Sequence, residues 1–226
     1  KIISRFGTSL DNIDIANCKK KLVKVKKLTQ NINTFSVARH TIALLLSITN
    51  NIKKQNFFRN KNVWKRYFNL SPDDTTIGII GMGRIGKLFA RYANNLGYNI
   101  NYYSRKKKLP KSFKYKYFSS IKNLISNSDI VSIHLSLNKK TKGIIKKNLL
   151  LKLKNKYLIN SARGELIDEK NLYRLLKKKV ITGAGLDVFN NEPTIKVSEQ
   201  LRNLENVVST CHTSFYDKPT IIKMCI

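Results

Sequence analysis

One stretch of the chain decides the fold: Ile77-Gly78-Ile79-Ile80-Gly81-Met82-Gly83-Arg84-Ile85-Gly86. Its apolar first half is typical of a buried strand. Gly81, Gly83 and Gly86 match the G-x-G-x-x-G spacing of a turn that binds the pyrophosphate of a dinucleotide. The first glycine permits a tight turn, the second lets the backbone approach the pyrophosphate, and the third lets the next helix pack closely on the strand. Amide groups at the start of that helix, together with its dipole, favour the negative phosphates.

The residues after the glycines strengthen this interpretation, because a bare glycine pattern also occurs in ordinary turns. Gly97 marks the end of a helix, and the residues from 99 to 103 resume as a strand. The helix in between has one apolar stripe at helical spacing, formed by Ile85, Leu88, Phe89, Tyr92 and Leu96. We therefore favour a dinucleotide site over a purely structural strand-helix-strand turn.

Strand and helix signals go on alternating after this unit. Further strands are predicted over residues 130–135, 157–160, 181–188 and 207–210. Helices are predicted over residues 119–126, 146–153 and 168–178, and a longer one over about 37–52. This alternation predicts an α/β fold with a Rossmann-type doubly wound parallel sheet and helices on both faces.

The residues before the long helix are different. Short strands are predicted at 2–4 and 22–25, but residues 1–34 are too few to close a domain of their own. We expect them to be part of a substrate domain whose beginning lies outside this sequence. The dinucleotide-binding domain is expected over 35–212, and residues 213–226 are expected to return toward the substrate domain.

The net charge is the most unusual feature of the composition. Lys and Arg number 44 against 13 Asp and Glu, which gives +31 over 226 residues. Such an excess is typical of a nucleic-acid partner or, alternatively, of compositional drift toward Lys, Asn and Ile. Because the lysines are scattered over every segment, we favour drift. We expect no specific nucleic-acid partner, only a weak, salt-sensitive attraction.

The cysteines and the hydropathy limit the class of protein further. Cys18, Cys211 and Cys225 are an odd number with no metal-type spacing, so we predict reduced thiols, a cytoplasmic protein and no metal site. No continuous apolar segment approaches transmembrane length, so we expect no membrane partner.

Three polar residues follow predicted strands, where a doubly wound sheet places its ligand crevice. They are Arg163, Glu192 and His212. Arg can grip a carboxylate through its fork of donors, and His can move a hydroxyl proton near neutral pH. A carboxylate bonded to that His fixes its tautomer. Beside a dinucleotide turn, this set indicates redox chemistry on a 2-oxo or 2-hydroxy acid.

Ordered motifs along most of the chain resemble those of the D-isomer-specific 2-hydroxyacid dehydrogenases, the family of phosphoglycerate dehydrogenase and glyoxylate/hydroxypyruvate reductase. The matching segments are residues 3–7 with 11–14, 36–38 with 40–41, 78–86, 128–134, 159–164, 183–189 with 192–193, and 210–212. The resemblance implies a nucleotide domain inserted into a flavodoxin-like substrate domain, of which this chain holds remnants. It also implies a site in the cleft between the domains and a homodimer built largely through the nucleotide domain.

The resemblance also implies individual roles. Arg163 would bind the substrate carboxylate and keto oxygen, His212 would be the acid/base, and Glu192 its carboxylate partner. The backbone of Gly7, Thr8 and Ser9 would meet the substrate carboxylate. Besides the glycine turn, the cofactor would touch Thr41, Arg84, Ile85, Ser161, Ala162 and Asp187.

Some positions depart from the family pattern. The family commonly has glycine at Ser9, Glu at Arg39, Pro at Ser136 and Cys211, and a glycine-rich turn where this chain has 213–215. Phe215 stands where it can crowd the nicotinamide. An inactive dinucleotide-binding or nucleic-acid-associated remnant is therefore an alternative of another class, although the intact Arg163, Glu192 and His212 argue against it.

The cofactor and the substrate are less strongly specified. NAD enzymes place a carboxylate about 20 residues past the glycines, but here the strand ends in Tyr103-Ser104-Arg105. Ser104 and Arg105 suit the extra phosphate of NADP(H), which we favour over NAD(H). This preference favours a glyoxylate/hydroxypyruvate-type reductase, and D-3-phosphoglycerate dehydrogenase is the alternative.

Overall fold

A computed structural model describes residues 1–28, 32–106, 113–193 and 200–225. Within these ranges a seven-stranded, all-parallel sheet has the order β5-β4-β3-β6-β7-β8-β9, and a separate parallel pair is formed by β1 and β2. The strands are β1 Ile2–Arg5, β2 Lys24–Lys27, β3 Thr76–Ile80, β4 Asn99–Tyr103, β5 Lys116–Phe118, β6 Ile130–Ile133, β7 Tyr157–Asn160, β8 Gly183–Leu186 and β9 Val207–Ser209. The predicted Rossmann-type doubly wound sheet is confirmed.

The helices cover both faces of the large sheet, as parallel strands require. Within the described ranges they are α1 Ile15–Lys20, α2 Thr34–Thr49, α3 Ile52–Arg59, α4 Arg84–Asn95, α5 Ile121–Ser126, α6 Lys147–Leu150, α7 Glu169–Lys177 and α8 Lys218–Cys225. No helix in this part of the chain is long and apolar enough to cross a membrane.

Two apolar clusters lie on opposite faces of the sheet. On one face α2 and α4 meet the strands, with Leu45 of α2 and Phe89 of α4 fully buried. On the other face α5, α6 and α7 contribute residues such as Leu124, Leu150 and Leu172. The two clusters fix the sheet from both sides, so the carboxyl ends of the strands form a rigid edge for a site.

The long predicted helix over about 37–52 corresponds to α2, which ends at Thr49. Asn51 then adopts a left-handed conformation with φ of 52°, and α3 follows it. α3 was not predicted, because its eight residues include three apolar ones, too few for a clear helical stripe. The short edge strand β5 also escaped the sequence analysis, because its residues Lys116, Tyr117 and Phe118 give no alternating pattern.

Residues near the carboxyl end of the chain contact α2. The Ser36 and Thr220 hydroxyls are 2.6 Å apart in a buried hydrogen bond, and Arg39 pairs with Asp217 at 3.4 Å. β1 and β2 form their own small sheet, separate from the seven-stranded one. The domain boundaries at 34/35 and 212/213 stay a prediction.

Candidate active site

A cleft opens at the carboxyl ends of the central strands, and its volume is about 530 Å³. β3 has β4 on one side and β6 on the other, so the chain crosses over at this place and leaves a crevice. Of the predicted site residues, the cleft wall brings together Gly7, Thr8, Ser9, Ile85, Ser161, Ala162, Arg163 and His212. Arg163 and His212, which are 49 positions apart in the sequence, thus face one space.

The three glycines of the turn have different reasons to be glycine. A Cβ on Gly81, whose φ is +104°, would lie 2.6 Å from the carbonyl oxygen of His134, and one on Gly86 would lie 2.2 Å from that of Gly81. A Cβ on Gly83 would meet no atom of the described residues within 4 Å. Gly83 also caps the N-terminus of α4. The turn therefore leaves open space at a helix start, which fits a pyrophosphate.

His212 and Glu192 form a direct pair. The His212 Nδ1 is hydrogen-bonded to Glu192 Oε2, while Glu192 Oε1 accepts a hydrogen bond of 2.6 Å from the backbone N–H of Phe189. Both carboxylate oxygens are thus held, and Nε2 is the imidazole nitrogen that does not bond Glu192. The predicted pairing of these residues lies within hydrogen-bond reach.

Asp187 supports the turn on which His212 stands. His212 has a left-handed φ of 52°, and its N–H donates to the Asp187 carbonyl oxygen at 2.7 Å. The Asp187 carboxylate accepts from the N–H of Thr213 at 2.9 Å and of Ser214 at 3.0 Å, and from the Thr210 hydroxyl at 2.5 Å. The cofactor contact that the family resemblance implies for Asp187 stays a prediction. In the unliganded protein Asp187 is completely buried below the turn and is not part of the cleft wall.

Arg163 is held by a carboxylate that the sequence analysis missed. Its Nε donates to Asp11 Oδ2 at 2.6 Å, and its Nη1 donates to the Ala162 carbonyl oxygen at 2.7 Å. The Ser9 hydroxyl donates to the other Asp11 oxygen at 2.5 Å. Burial raises the pKa of Asp11, but the bonds from Ser9 and Arg163 outweigh it and hold that pKa below its usual value. Asp11 belongs to the matching segment 11–14, but its position in the sequence does not indicate that it contacts Arg163.

Of the remaining predicted cofactor residues, Thr41 is connected to the cleft wall, whereas three others lie outside it. The hydroxyls of Thr41 and Ser161 are 2.7 Å apart, so Thr41, which is fully buried, reaches the cleft wall through Ser161. Ser104 donates its hydroxyl to the Lys106 carbonyl oxygen. Arg105 and Arg84 are exposed, and neither they nor Ser104 line the cleft. Lys107 and Lys108 lie outside the described residues.

Phe215 stands beside the His212 imidazole, and both line the cleft. The two rings are perpendicular, with centroids 5.9 Å apart. This edge-to-face contact is a favourable aromatic geometry. Phe215 therefore packs on the imidazole and helps to fix its orientation.

His134 also lines the cleft, although no role was predicted for it from the sequence. Its Nε2 is 2.9 Å from the Ser132 hydroxyl, and its ring packs on Phe89 at 5.0 Å. Although the residue keeps some surface toward the cleft, enclosure of the imidazole lowers the pKa of His134 to about 3. The ring is therefore neutral at physiological pH and does not add a cation to the site.

This shift predicts a pH dependence of stability. The folded-state pKa of about 3 lies below the ordinary value of 6.5. The contribution of neutral His134 to the free energy of unfolding is therefore complete above pH 6.5 and is lost as the pH falls toward 3. The loss is at most about 1.4 kcal/mol for each pH unit. In denaturant titrations, His134→Gln should narrow the difference in unfolding free energy between neutral pH and pH ~4. Equal acid sensitivity of the two proteins would contradict the assignment.

Comparison with known proteins agrees with this geometry. The family model for the NAD binding domain of D-isomer specific 2-hydroxyacid dehydrogenases matches residues 42–214. A glyoxylate/hydroxypyruvate reductase of Arabidopsis thaliana is 36% identical over 216 residues, which cover 94% of this chain and 67% of that protein. A D-3-phosphoglycerate dehydrogenase of Methanocaldococcus jannaschii is 35% identical over 94% of this chain and 41% of its own length.

Solved structures agree as well. An NADPH-dependent glyoxylate/hydroxypyruvate reductase of Sinorhizobium meliloti, in complex with NADP and malonate, matches with a TM-score of 0.86 and 26% identity over 99% of this chain and 70% of that chain. The fold and the open glycine turn define a nicotinamide-dinucleotide-binding domain. The chain belongs to the D-isomer specific 2-hydroxyacid dehydrogenases.

Proposed function

We propose that this protein interconverts a 2-oxo acid and a D-2-hydroxy acid with NADP(H), as a glyoxylate/hydroxypyruvate-type reductase. The observation that carries the proposal is one cleft lined by Arg163 and His212, with Glu192 bonded to His212 and with Ile85, which follows the open glycine turn, in the same wall. Oxidation of NADPH upon addition of glyoxylate or hydroxypyruvate tests it. A silent protein that instead binds RNA tightly at physiological salt would favour the inactive, nucleic-acid-associated alternative.

In the proposed reaction, different residues at the cleft transfer the proton and bind the substrate. The carbonyl carbon would accept its hydride from a reduced nicotinamide when that cofactor is bound. His212 donates the proton to the developing alkoxide from Nε2, because Glu192 occupies Nδ1 and fixes the tautomer. Glu192 also keeps the imidazole ring in place through this bond. Gly7, Thr8 and Ser9 line the same cleft, and in this proposal their backbone meets the substrate carboxylate.

Arg163 binds the substrate carboxylate in this proposal. Its Nε is bonded to Asp11 and its Nη1 to the Ala162 carbonyl oxygen. In this proposal the substrate carboxylate takes the place of Asp11 on the guanidinium. It offers the same charge as Asp11 and can accept two parallel bonds from the planar fork.

The NADP(H) preference rests on Arg105 and on a strand end without a carboxylate. Arg105 is exposed directly after β4, where the ribose of a bound dinucleotide is expected. We expect kcat/KM for NADPH to exceed that for NADH, and Arg105→Ala to reduce the ratio about tenfold or more through the lost charge-assisted bond. An unchanged ratio in Arg105→Ala, or an NADH preference, would overturn this choice.

Gly83→Ala tests the cofactor site separately from the chemistry. No described atom blocks a Cβ at this position, so the unliganded variant should keep its Tm. The methyl group would occupy the space in which the pyrophosphate approaches the backbone. We expect the Kd for NADPH, measured by fluorescence titration, to rise about tenfold or more. An unchanged Kd would place the phosphates elsewhere.

D-3-phosphoglycerate dehydrogenase activity is a second candidate, and Arg5 favours it. Arg5 lines the cleft, and its buried Nε has no hydrogen-bond partner within the described part of the chain. A buried unsatisfied donor is costly, so an anionic substrate tail would stabilise it. Phosphoglycerate-dependent reduction of NAD(P)⁺ that exceeds the glyoxylate and hydroxypyruvate activities would select this candidate.

The proposal includes a homodimer. Large exposed apolar side chains concentrate near the end of α2, on α3 and in the segment after it, at Leu46, Ile52, Phe57, Val63, Trp64 and Phe68. Such a concentration is typical of an interaction surface, and a second copy of this chain is the partner we propose. Light scattering after gel filtration should give twice the chain mass, and a monomer mass would contradict this.

A further inference from the structure

We propose that Glu169 is a positioning residue for the Glu192–His212 pair, because its carboxylate holds the loop that presents Glu192. The inference rests on the proposed function, in which that pair moves the proton. Glu169 is the first residue of α7 and is only 6% exposed. Asp168 already caps this helix through the Asn171 N–H, so the Glu169 side chain is not needed as the cap.

Two neighbouring backbone amides of the Glu192 loop are bound by two carboxylates. The N–H of Phe189 donates to Glu192 Oε1 at 2.6 Å, and the N–H of Asn190 donates to Glu169 Oε2 at 2.7 Å. Glu192 is therefore fixed to its own loop, and the loop is fixed to the start of α7. The direction of the Glu192 carboxylate toward His212 depends on both bonds.

The segment of residues 163–169, which ends at Glu169, also carries Arg163. Gly164, the next residue, lies so close to the loop that a Cβ there would be 2.1 Å from the carbonyl carbon of Phe189 and 2.5 Å from the Asn190 nitrogen. The turn from 163 to 169 thus contacts the Glu192 loop twice, at Gly164 and at Glu169. The guanidinium and the carboxylate of the site are thereby placed relative to each other.

Burial of the Glu169 carboxyl is unfavourable for the free energy of folding. Its Oε1 is buried without a hydrogen-bond partner in the described part of the chain. Burial raises the pKa of Glu169, the bond from Asn190 lowers it, and the charges of Glu192 and Glu165 raise it again. A buried carboxyl beside two other carboxylates destabilises the fold, so apolar packing alone would favour a Leu or Met here. The cost is consistent with a role in the geometry of the site.

Three variants separate positioning from a merely structural role. Glu169→Ala removes the acceptor of the Asn190 N–H, Glu169→Gln keeps an acceptor oxygen, and Glu165→Gln removes a nearby carboxylate that does not bond the loop. We expect Glu169→Ala to lower kcat about 10- to 100-fold with the Kd for NADPH unchanged. Glu169→Gln and Glu165→Gln should stay within about threefold of the wild type. If Glu169→Ala does not fold, Glu169→Asp, which withdraws the carboxylate by one methylene, replaces it with the same expected loss.

Two readouts need no turnover. In Glu169→Ala, hydrogen exchange at the Asn190 amide should lose its protection, and the low-field Nδ1 proton resonance of His212 should move upfield. Both signals should persist in Glu169→Gln. Wild-type behaviour of both signals in the Ala or Asp variant would overturn the inference, and so would an equal loss of kcat in Glu169→Gln. A wild-type protein without reductase activity would sink the proposed function, whereas these two signals test the positioning separately.

Discussion

Replacing His212 with asparagine is expected to lower kcat for hydroxypyruvate reduction by about 10²- to 10⁴-fold, the usual contribution of a positioned general acid. Asparagine can still hydrogen-bond Glu192, but it has no group that donates a proton near neutral pH. The loss should appear in kcat rather than in cofactor affinity, because the glycine turn that receives the pyrophosphate is unchanged.

The measurement is steady-state oxidation of NADPH by protein made from the complete reading frame. A fluorescence titration of NADPH and a thermal unfolding curve serve as controls for the folded state. Because the turn at His212 is held by the Asp187 carboxylate and not by the imidazole, we expect the fold to survive the substitution. Activity within a few-fold of the wild type would remove His212 from the mechanism.

Arg163→Lys is expected to have the second large effect, although it keeps the positive charge. The lysine ammonium cannot reproduce the planar fork that binds Asp11 and the Ala162 carbonyl oxygen and that would bind a substrate carboxylate in the place of Asp11. We expect kcat/KM for the 2-oxo acid to fall about 10²-fold or more, mainly through a higher KM. The Kd of Arg163→Lys for NADPH should be nearly the same as that of the wild type.

Arg174→Lys is the matched control for this experiment. Arg174 is an exposed arginine on α7, outside the cleft, and the change there is chemically identical. Its kinetic constants should equal those of the wild type. If Arg163→Lys and Arg174→Lys behave alike, the substrate carboxylate is bound elsewhere.

The features with a strong local signal could be predicted from the sequence. The strand, the glycine turn and the helix from Ile77 onward follow from period, glycine spacing and one apolar stripe. Asp168 at the start of α7 and Ser120 at the start of α5 cap helices as their residue types suggest. The positions of Arg163, Glu192 and His212 after strands were enough to expect them on one edge of the sheet.

The features that depend on distant contacts could not be predicted. Asp11 and Arg163 are bonded across a separation of 152 residues, and nothing local indicates the pair. The family resemblance implies a cofactor contact for Asp187, and nothing in the sequence indicates that the turn after β9 donates to both of its carboxylate oxygens. Glu169 resembles an ordinary first-turn carboxylate of a helix, and only the approach of Asn190 distinguishes it.

In this mechanism the Arg163 guanidinium, the His212 imidazole and the open glycine turn bind one dinucleotide and one 2-oxo acid side by side. A crystal structure of the complete protein with NADPH and oxamate, a 2-oxo acid analogue that accepts no hydride, measures this directly. We predict the pyrophosphate against the Gly83 backbone, the oxamate carboxylate on Arg163, and its amide carbonyl oxygen, which stands in for the keto oxygen of a substrate, at His212 Nε2. Oxamate bound away from Arg163 and His212, or a dinucleotide that does not contact the glycine turn, would exclude this arrangement.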